Sequence, residues 1–251
     1  QFTDQDTNSF FIRQSFQLPN ELSIETINKE FKNLSNILNA NYEIRYIHKT
    51  LKTLVLVSKF DHCLIELINK TKNKNLNLSI EAVISNHNDL KKISLLENIP
   101  FHHFPINNDK LHQEKNIIQF INEKKIDIII LARYMQILSK NFVNRFYGKI
   151  INIHHSFLPS FKGAKPYHQA FERGVKIIGA TAHFVNQNLD EGPIIEQDIE
   201  KVDHELSPSD LVAIGKDIEA RVLYKAIKSF SEGRVFLNGK KTIVFKGDKI
   251  L

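Results

Sequence analysis

The residues best suited to chemistry stand at the end of one apolar run. In IINIHHSFLPSF, residues 150–161, β-branched residues are followed by Asn152, His154 and His155. An apolar β-branched run is typical of a buried strand. Alternate side chains of a strand point to the same face, so Asn152 and His154 share one face and His155 takes the other. The spacing therefore selects His154 as the partner of Asn152.

An amide and an imidazole on one face are suited to acyl chemistry. The amide can donate to a carbonyl oxygen that gains negative charge, and the imidazole can donate to the same oxygen or transfer a proton. The alternative is structural: Asn152 caps backbone groups at the strand end, and His154 is a satisfied interior histidine. The spacing alone favours neither interpretation.

A carboxylate that could complete this set lies in NQNLDEGPI, residues 186–194. Asp190 precedes a Gly-Pro pair, and an Asp in that position is most often a turn former. Together with Asn152 and His154, however, it gives an amide, an imidazole and a carboxylate. The carboxylate could keep His154 charged or position an attacking water.

A third candidate segment follows the preceding predicted strand, in LARYMQIL, residues 131–138. Ligands of open α/β sheets bind in the crevice beyond the carboxyl ends of the strands, so this segment should border the same crevice. Its side chains could line a slot for a flat heterocycle, and a strand-to-helix core turn is the alternative. The side chains concerned are Tyr134, Met135, Ile137 and Leu138.

The elements that must position these residues alternate between strand and helix. The apolar strand runs TLVLVS, IEAVIS, IDIIILA and KIINIH are separated by helical patterns. The predicted helices cover residues 61–72, 89–98, 111–125 and 139–147. Repeated strand–helix units imply an α/β fold with a doubly wound, mainly parallel sheet that is covered on both faces.

The end of the chain adds four further elements. Residues 177–185 and 193–199 indicate an extra pair of strands. A helix is predicted to start at Ser207-Pro208 and to end near Gly233, because proline is favoured at the first helical position. The last segment then predicts a hairpin that turns on Asn238-Gly239.

The N-terminal part has a different organisation. DQDTN, residues 4–8, predicts a hairpin tip, and residues 9–18 and 42–47 indicate strands. Between them, apolar residues recur at three- and four-residue steps from Ile24 to Leu38 after a candidate N-cap, Ser23, which predicts an amphipathic helix. This piece is too small to bury a good core alone. We therefore divide the chain into a partial α+β ferredoxin-like module, residues 1–50, and an α/β domain, residues 51–251.

Composition excludes several classes of partner. The net charge is +6 and the isoelectric point is about 9.2, but the lysines are scattered among Asn and Ile, so we expect a generic basic surface and no nucleic-acid partner. No apolar run has the length of a membrane span, and no secretion signal is visible. Cys63 is the only cysteine, which rules out an internal disulfide and fits a reducing cytoplasm. No histidine spacing typical of a metal site occurs.

Three long segments resemble the formyltransferase family that uses 10-formyltetrahydrofolate. They are LARYMQILSKNFVNRF, NIHHSFLPSFKGAKPYHQAFERGVKIIGATAHFV and NLDEGPIIEQ, and the resemblance runs from about residue 53 to the end. It implies catalytic roles for Asn152, His154 and Asp190. The residues that it implies around the pterin, partly through backbone groups, are Met135, Gln136, Ile137, Leu138, Val143 and Ile150.

Two further histidines receive a weaker assignment. By the same resemblance, His168 in KPYHQA lies near the catalytic carboxylate, and a structural histidine at a helix start is the alternative. His183 lies within a predicted strand, and we interpret it as a buried structural histidine.

The segments IHHSFLP and LDEGP are most similar to hydrolytic members of this family. The resemblance implies hydrolysis of 10-formyltetrahydrofolate to tetrahydrofolate and formate, in one-carbon metabolism and formate supply for purine synthesis, without a cofactor or a metal. The alternative is formyl transfer to an amine such as glycinamide ribonucleotide. Such transferases carry a Gly-rich loop after the first strand, where backbone N–H groups can cradle phosphate. Here that segment is SKFDHC, residues 58–63, which has no glycine.

Other functions fit less well. Too few residues follow the last helix for the RNA-binding barrel of tRNA-modifying family members. A non-catalytic folate or amino-acid sensor would not need the complete set of Asn152, His154 and Asp190. A metal hydrolase would need a ligand spacing that the sequence lacks.

The N-terminal piece is similar to the second half of an ACT-type module whose first strand and helix are absent from this sequence. Such modules commonly pair edge strands between subunits. The resemblance therefore implies a homo-oligomer that assembles through the N-terminal module.

Overall fold

The structure is a computed structural model that describes residues 1–19, 22–47, 49–106, 110–159 and 166–247. The chain divides into two compact units, Gln1–Lys49 and Thr50–Leu251. In the described ranges, no helix is long and apolar enough to cross a membrane.

The smaller unit contains a short hairpin and one helix. Strands β1 (Phe2–Asp4) and β2 (Ser9–Phe11) pair antiparallel, which confirms the hairpin tip at residues 4–8. Helix α1 (Ile24–Leu38) is also confirmed, and the hydroxyl of Ser23 caps it by accepting from the Thr26 N–H at 3.1 Å.

Of the two strands predicted for this unit, one is shorter than predicted and the other does not form. The strand expected over residues 9–18 ends at Phe11, and the strand expected over residues 42–47 does not form. Alternating side chains indicate a face, but a strand also needs a partner with free backbone groups, and none of the described strands pairs with residues 42–47. The ACT-type assignment stays a prediction.

The larger unit is built on a sheet of seven described strands in the order β5-β4-β3-β6-β7-β8-β9. The strands are β3 (Leu51–Val57), β4 (Leu78–Ser85), β5 (Phe101–His103), β6 (Ile128–Leu131), β7 (Ile150–His154), β8 (Ile177–Phe184) and β9 (Ile194–Lys201). The first five are parallel, and β8 and β9 are antiparallel to their neighbours. The doubly wound, mainly parallel fold is confirmed, and the extra strand pair is β8 with β9. The three-residue strand β5 was not predicted.

Helices cover both faces of this sheet. They are α2 (His62–Lys72), α3 (Lys91–Leu96), α4 (Lys110–Lys124), α5 (Lys140–Arg145), α6 (Pro166–Glu172) and α7 (Pro208–Ser231). The start of α7 is confirmed by a capping box, in which the hydroxyl of Ser207 accepts from the Asp210 N–H and the Asp210 carboxylate accepts from the Ser207 N–H.

The closing hairpin pairs β10 (Val235–Asn238) with β11 (Lys241–Val244). Asn238 is the register partner of Lys241, so the two loop residues are Gly239 and Lys240. The predicted turn on Asn238-Gly239 was therefore one residue early. Gly239 has a φ of 58° and Lys240 is not among the residues of positive φ, which matches a type II′ turn with glycine at its first central position.

The two faces of the sheet bury separate hydrophobic cores. On one face, which we call the α2–α7 face, the strands pack against α2, α6 and α7. On the other, the α4–α5 face, they pack against α4 and α5. Ile151 and Ile153 belong to the first core and Ile150 to the second. By the alternation of a strand, Asn152 and His154 share the α4–α5 face with Ile150, as the sequence predicts.

The strand order reverses between β3 and β6. From β3 the chain moves outward to β4 and β5, and it then returns to place β6 and β7 on the other side of β3. The crevice beyond the carboxyl ends at such a reversal is where open α/β sheets bind ligands. The segments that follow β3, β6 and β7 therefore border the candidate site.

Candidate active site

The structure brings the three predicted catalytic residues together. The carboxylate of Asp190 reaches the imidazole of His154, with 3.2 Å between Oδ2 and Nδ1. Asn152 lies two residues before His154 on β7, and its Nδ2 contacts Nε2 of His183 at 3.2 Å. The second carboxylate oxygen of Asp190 lies 3.8 Å from the same His183 nitrogen, so the imidazole of His183 links the amide and the carboxylate.

The position of Asp190 depends on a tight loop between β8 and β9. Asp190 has a φ of 56°, a left-handed conformation that Asp tolerates better than most residues. Gly192 packs so closely that an added Cβ would lie 1.6 Å from the carbonyl oxygen of Phe184. The turn-forming interpretation of Asp190 and its place in the site are therefore compatible, because the turn itself directs the carboxylate toward His154.

The carboxylate of Asp190 is held in its charged form. Burial alone would raise its pKa, but the hydrogen bond from His154, with a further contribution from the neighbouring His183, outweighs the burial. The pKa of Asp190 is consequently well below its usual range. Asp190 is thus an anion over the whole physiological pH range.

The Asp190 contact also defines which nitrogen of His154 is available for chemistry. A carboxylate only accepts hydrogen bonds, so in neutral His154 the proton is assigned to Nδ1. The opposite nitrogen, Nε2, is buried and has no hydrogen-bond partner within the protein. A buried lone pair without a partner is costly, and it can accept a proton from a substrate or a water.

His183 has a larger part in the site than the sequence indicated. It is the register partner of Asn152 on β8, and its Nδ1 donates to the carbonyl oxygen of Phe184 at 2.8 Å. With the proton on Nδ1, its Nε2 can accept from Asn152 and so orient the amide. It is buried, as predicted, but it also positions Asn152. Only the pairing of β7 with β8 reveals this, since no local spacing connects residues 152 and 183.

The segment after β6 is held by buried polar groups at both ends. The N–H of Met135 donates to the hydroxyl of Ser58 at 3.0 Å, and that hydroxyl donates to the side-chain oxygen of Asn86 at 2.7 Å. At the other end, the buried carboxylate of Glu114 accepts from the N–H of Ser139 at 2.7 Å and from its hydroxyl. A segment fixed at both ends by buried groups can present a preformed surface.

The six residues predicted to surround the pterin differ in exposure. Met135 and Ile137 are 50% and 61% exposed, whereas Gln136 and Leu138 are half-buried. Val143 and Ile150 are buried in the core. The first four thus form an accessible, mostly apolar surface beside β7, and contact of the pterin with any of the six stays a prediction.

His168 is exposed on the short helix α6. The same helix contributes Tyr167 to the interior. The prediction that His168 lies near Asp190 is not tested by any contact of the described residues, and it stays a prediction.

A second buried polar cluster lies on the α2–α7 face. Its centre is Glu219 of α7, whose carboxylate accepts from Nε2 of His62 at 2.8 Å and from the Tyr167 hydroxyl at 2.7 Å. Nε of Arg133 lies 3.4 Å from the same carboxylate, and the guanidinium lies 4.9 Å from the centre of the Phe60 ring. We call these five residues the Glu219 cluster.

Glu219 carries a full negative charge in spite of being 1% exposed. Burial would raise its pKa, but the hydrogen bond from His62 and the charge of Arg133 lower the pKa below its usual value. Burial and the Glu219 charge raise the pKa of Tyr167, so its hydroxyl stays protonated and remains a donor. The cluster is therefore a compensated pair, the Arg133 guanidinium with the Glu219 carboxylate.

The Glu219 cluster was not predicted, although the sequence carries a signal for it. In α7 a single acid interrupts the stripe of buried residues that includes Gly215, Ile218, Val222 and Leu223. A buried acid normally requires a partner. The partner is Arg133. Its left-handed backbone, with a φ of 64°, ends the side-chain alternation of β6.

Part of this cluster has metal-like spacing. Within the described ranges, one group of three possible metal ligands has its ligand atoms within 4.8 Å of one another. It consists of His62, Cys63 and Glu219. Burial raises the pKa of the Cys63 thiol well above its usual value, which disfavours the thiolate that a metal would need. The Glu219 carboxylate is already engaged by Tyr167 and His62. The donor set therefore fits a hydrogen-bonded network better than a metal site.

His155 separates the two clusters. Its ring centre lies 5.0 Å from that of His154, and it is 8% exposed. Burial, followed by the charges of Arg133 and His154, lowers the pKa of His155 to about 4. At neutral pH the imidazole of His155 is thus uncharged, next to the predicted catalytic residues and to the Glu219 cluster.

Comparison with known proteins assigns this chain to a family. The family model described as Formyl transferase matches residues 51–227. A relative named formyltetrahydrofolate deformylase, from Corynebacterium sp. strain P-1, is 43% identical over 250 residues, which cover 98% of this chain and 87% of the relative.

Two solved structures show a similar fold. A formyltetrahydrofolate deformylase from Pseudomonas putida KT2440 superposes with a TM-score of 0.93 at 43% identity, over 97% of this chain and 87% of that one. Glycinamide ribonucleotide transformylase 1 from Symbiobacterium toebii gives a TM-score of 0.75 at 26% identity, over 82% of this chain and 99% of that one. The match over most of the α/β unit, together with these relatives, shows that the chain belongs to the formyl transferase family.

Proposed function

We propose that this protein hydrolyses 10-formyltetrahydrofolate to tetrahydrofolate and formate. The observation that carries the proposal is the contact between the Asp190 carboxylate and Nδ1 of His154, which leaves the buried Nε2 available to a reacting group. Relatives at 43% identity bear the name of the deformylase, and the solved transformylase, at 26% identity, is more distant.

The proposed reaction begins with a water at Nε2 of His154. The water oxygen attacks the formyl carbon while Nε2 accepts one proton, and the Asp190 anion stabilises the resulting imidazolium. The formyl oxygen gains negative charge in the tetrahedral intermediate. The bond to N10 then breaks, N10 takes the proton from His154, and formate leaves as the second product.

Asn152 is proposed to stabilise the formyl oxygen. One N–H of its amide faces Nε2 of His183, so the orientation of the amide is fixed and the other N–H can donate to the developing oxyanion. The folate would lie along the exposed side chains of Met135 and Ile137, with its formyl group directed to β7. This surface follows the end of β6, which is the strand paired with β7.

The alternative, formyl transfer to an amine, has less support. The segment after β3 has no glycine, and Phe60 and His62 from this segment belong to the Glu219 cluster. Without a bound amine, a positioned water can react even though it is the weaker nucleophile.

The function is tested by supplying purified protein with 10-formyltetrahydrofolate, with and without glycinamide ribonucleotide, and identifying the products. Formate and tetrahydrofolate are expected in both cases. Formylated ribonucleotide as the main product would replace the hydrolase by the transferase. We propose that no metal or cofactor is needed, and the same assay after dialysis against EDTA should give an unchanged rate.

Cellular context and assembly are proposals as well. We propose a cytoplasmic enzyme of one-carbon metabolism that supplies formate for purine synthesis and binds neither nucleic acid nor membrane. A single, buried cysteine fits a reducing compartment.

Self-association through the smaller unit is our first prediction. Apolar side chains of α1 are exposed and none of its residues is buried, so a second copy would cover them. Sedimentation velocity at micromolar concentrations should therefore give an oligomer. A strictly monomeric protein across that range would rule out this assembly.

The catalytic carboxylate is tested by Asp190→Asn. The amide keeps the size of the side chain but loses the charge that stabilises the His154 imidazolium, so formate release should fall by at least ~10²-fold. The melting temperature should change little. Near-normal release by the folded variant would mean that Asp190 only shapes its turn, since Asn forms such turns well.

The oxyanion assignment is tested by Asn152→Ala. Loss of one donor should lower the turnover number by ~10²–10³, while folate binding changes far less. His155→Ala is the matched control, because His155 faces away from the reacting group. If His155→Ala costs as much rate as His154→Ala in a folded protein, the assignment of strand faces is wrong.

His155 also predicts a pH dependence of stability. Its pKa is about 4 in the folded protein and 6.5 in an unfolded chain, so the unfolded chain binds more protons between these values. The free energy of unfolding should therefore decrease as the pH falls from about 6.5 to about 4, with about 3 kcal/mol from this one group. In chemical denaturation at several pH values, His155→Asn should show a shallower decrease. Identical pH profiles for the two proteins would contradict the buried, neutral state of His155.

A further inference from the structure

The crevice has two halves that are built differently. On the α4–α5 face, Met135 and Ile137 are exposed on a segment that is held by backbone hydrogen bonds at its ends. On the α2–α7 face, the space beyond β3 and β6 contains the Glu219 cluster, which consists of Phe60, His62, Arg133, Tyr167 and Glu219. The first half presents exposed apolar side chains without a nearby buried charge, whereas the exposed Phe60 ring of the second half is stacked on the Arg133 guanidinium.

The Glu219 cluster is closely packed and internally compensated. Arg133 is 9% exposed and lies between the Phe60 ring and the Glu219 carboxylate. Glu219 accepts hydrogen bonds from two further side chains, so its charge is both buried and paired. A phosphate-bearing molecule entering this half would have to displace the guanidinium from Glu219 and would meet the carboxylate, which is unfavourable.

The cluster lies next to the reacting group. The imidazole of His155 is close to both: its ring centre lies 5.0 Å from that of His154, and the charges of Arg133 and Glu219 act on its pKa. A donor bound on the α4–α5 face places its formyl carbon near His154. A second substrate would then approach from the opposite side, the α2–α7 face.

Resting on the proposed hydrolysis, we infer that the Glu219 cluster occupies the acceptor half of the crevice and thereby restricts the acceptor to water. Phe60, Arg133 and Glu219 are then specificity-determining residues that never touch the folate. Four of the five buried polar atoms without a hydrogen-bond partner in the described ranges belong to this crevice, namely Nδ1 of His62, Nε and Nη1 of Arg133, and Nε2 of His154. Such groups are suited to small polar molecules such as water.

The same chemistry would serve an amine if one could enter. The amine nitrogen would attack the formyl carbon and lose a proton to His154, the bond to N10 would break, and N10 would take that proton. The products would be tetrahydrofolate and a formamide. Opening the acceptor half should therefore divert formyl groups from water to an amine without new catalytic residues.

The experiment measures this partition. The variant Arg133→Ala/Glu219→Gln removes the guanidinium and leaves a neutral amide that can still bond to His62 and Tyr167, so that no uncompensated charge is buried. Because a double change in the interior can impair folding, Phe60→Ala is the second variant; this ring is 41% exposed. Each protein receives 10-formyltetrahydrofolate and increasing glycinamide, and the ratio of formylglycinamide to formate is determined.

Wild type should give formate with no detectable formylglycinamide, and both variants should give a ratio roughly tenfold or more above the detection limit at equal total turnover. A merely structural role would lower the total rate and leave the ratio unchanged. The matched control is Arg221→Ala/Asp198→Asn, which removes another pair of cation and carboxylate, 3.0 Å apart, between α7 and β9. This control should retain the wild-type ratio.

The two proposals fail in different ways. Formylated amine from the wild-type protein would refute the hydrolase function before any variant is compared. Formate as the single product of folded, active variants at every glycinamide concentration would refute the specificity role of the Glu219 cluster and leave the hydrolase function intact.

Discussion

The contact between the Asp190 carboxylate and Nδ1 of His154 is the constraint on which the site depends. It joins β7 to the loop that follows β8, so it requires β8 to be antiparallel to β7 and to end in a tight turn. That turn needs the left-handed backbone of Asp190 and the missing side chain of Gly192. Strand order, turn geometry and charge thus together determine the surroundings of one imidazole, that of His154. Without the antiparallel pair, an otherwise parallel sheet would offer β7 no carboxylate from this loop.

A neutral His155 reconciles two charged clusters that lie close together. The Asp190–His154 pair stands on one side of it, and the Arg133–Glu219 pair stands on the other. If His155 were charged, it would oppose both Arg133 and an imidazolium at His154, which would weaken the acid–base role that we propose for His154. Burial and the charge of Arg133 keep it neutral. Buried ion pairs contribute little to stability. The pair of Arg133 and Glu219 has a second effect, because the charge of Arg133 helps to keep His155 neutral.

The sequence predicts those features that follow from local periodicity. Strand alternation placed Asn152 and His154 on one face, and the two separate cores confirm it through Ile150 and Ile151. Features that depend on pairing between distant segments were missed. His183 meets Asn152 only through the register of β8 on β7, and Arg133 meets Glu219 only because a left-handed residue redirects its side chain. The strand predicted over residues 42–47 is wrong for the opposite reason. Its alternation is regular, but none of the described strands pairs with it.

The two halves of the crevice differ in how easily their specificity can change. The donor half is fixed by hydrogen bonds of the backbone N–H groups of Met135 and Ser139 to buried side chains, so substitutions on its exposed surface leave its shape intact. The acceptor half is filled by side chains whose charges must remain balanced, so a single substitution at Arg133 or Glu219 would leave an uncompensated charge. A change between water and an amine as acceptor that involves this ion pair therefore requires coupled substitutions at Arg133, which follows β6, and at Glu219 of α7.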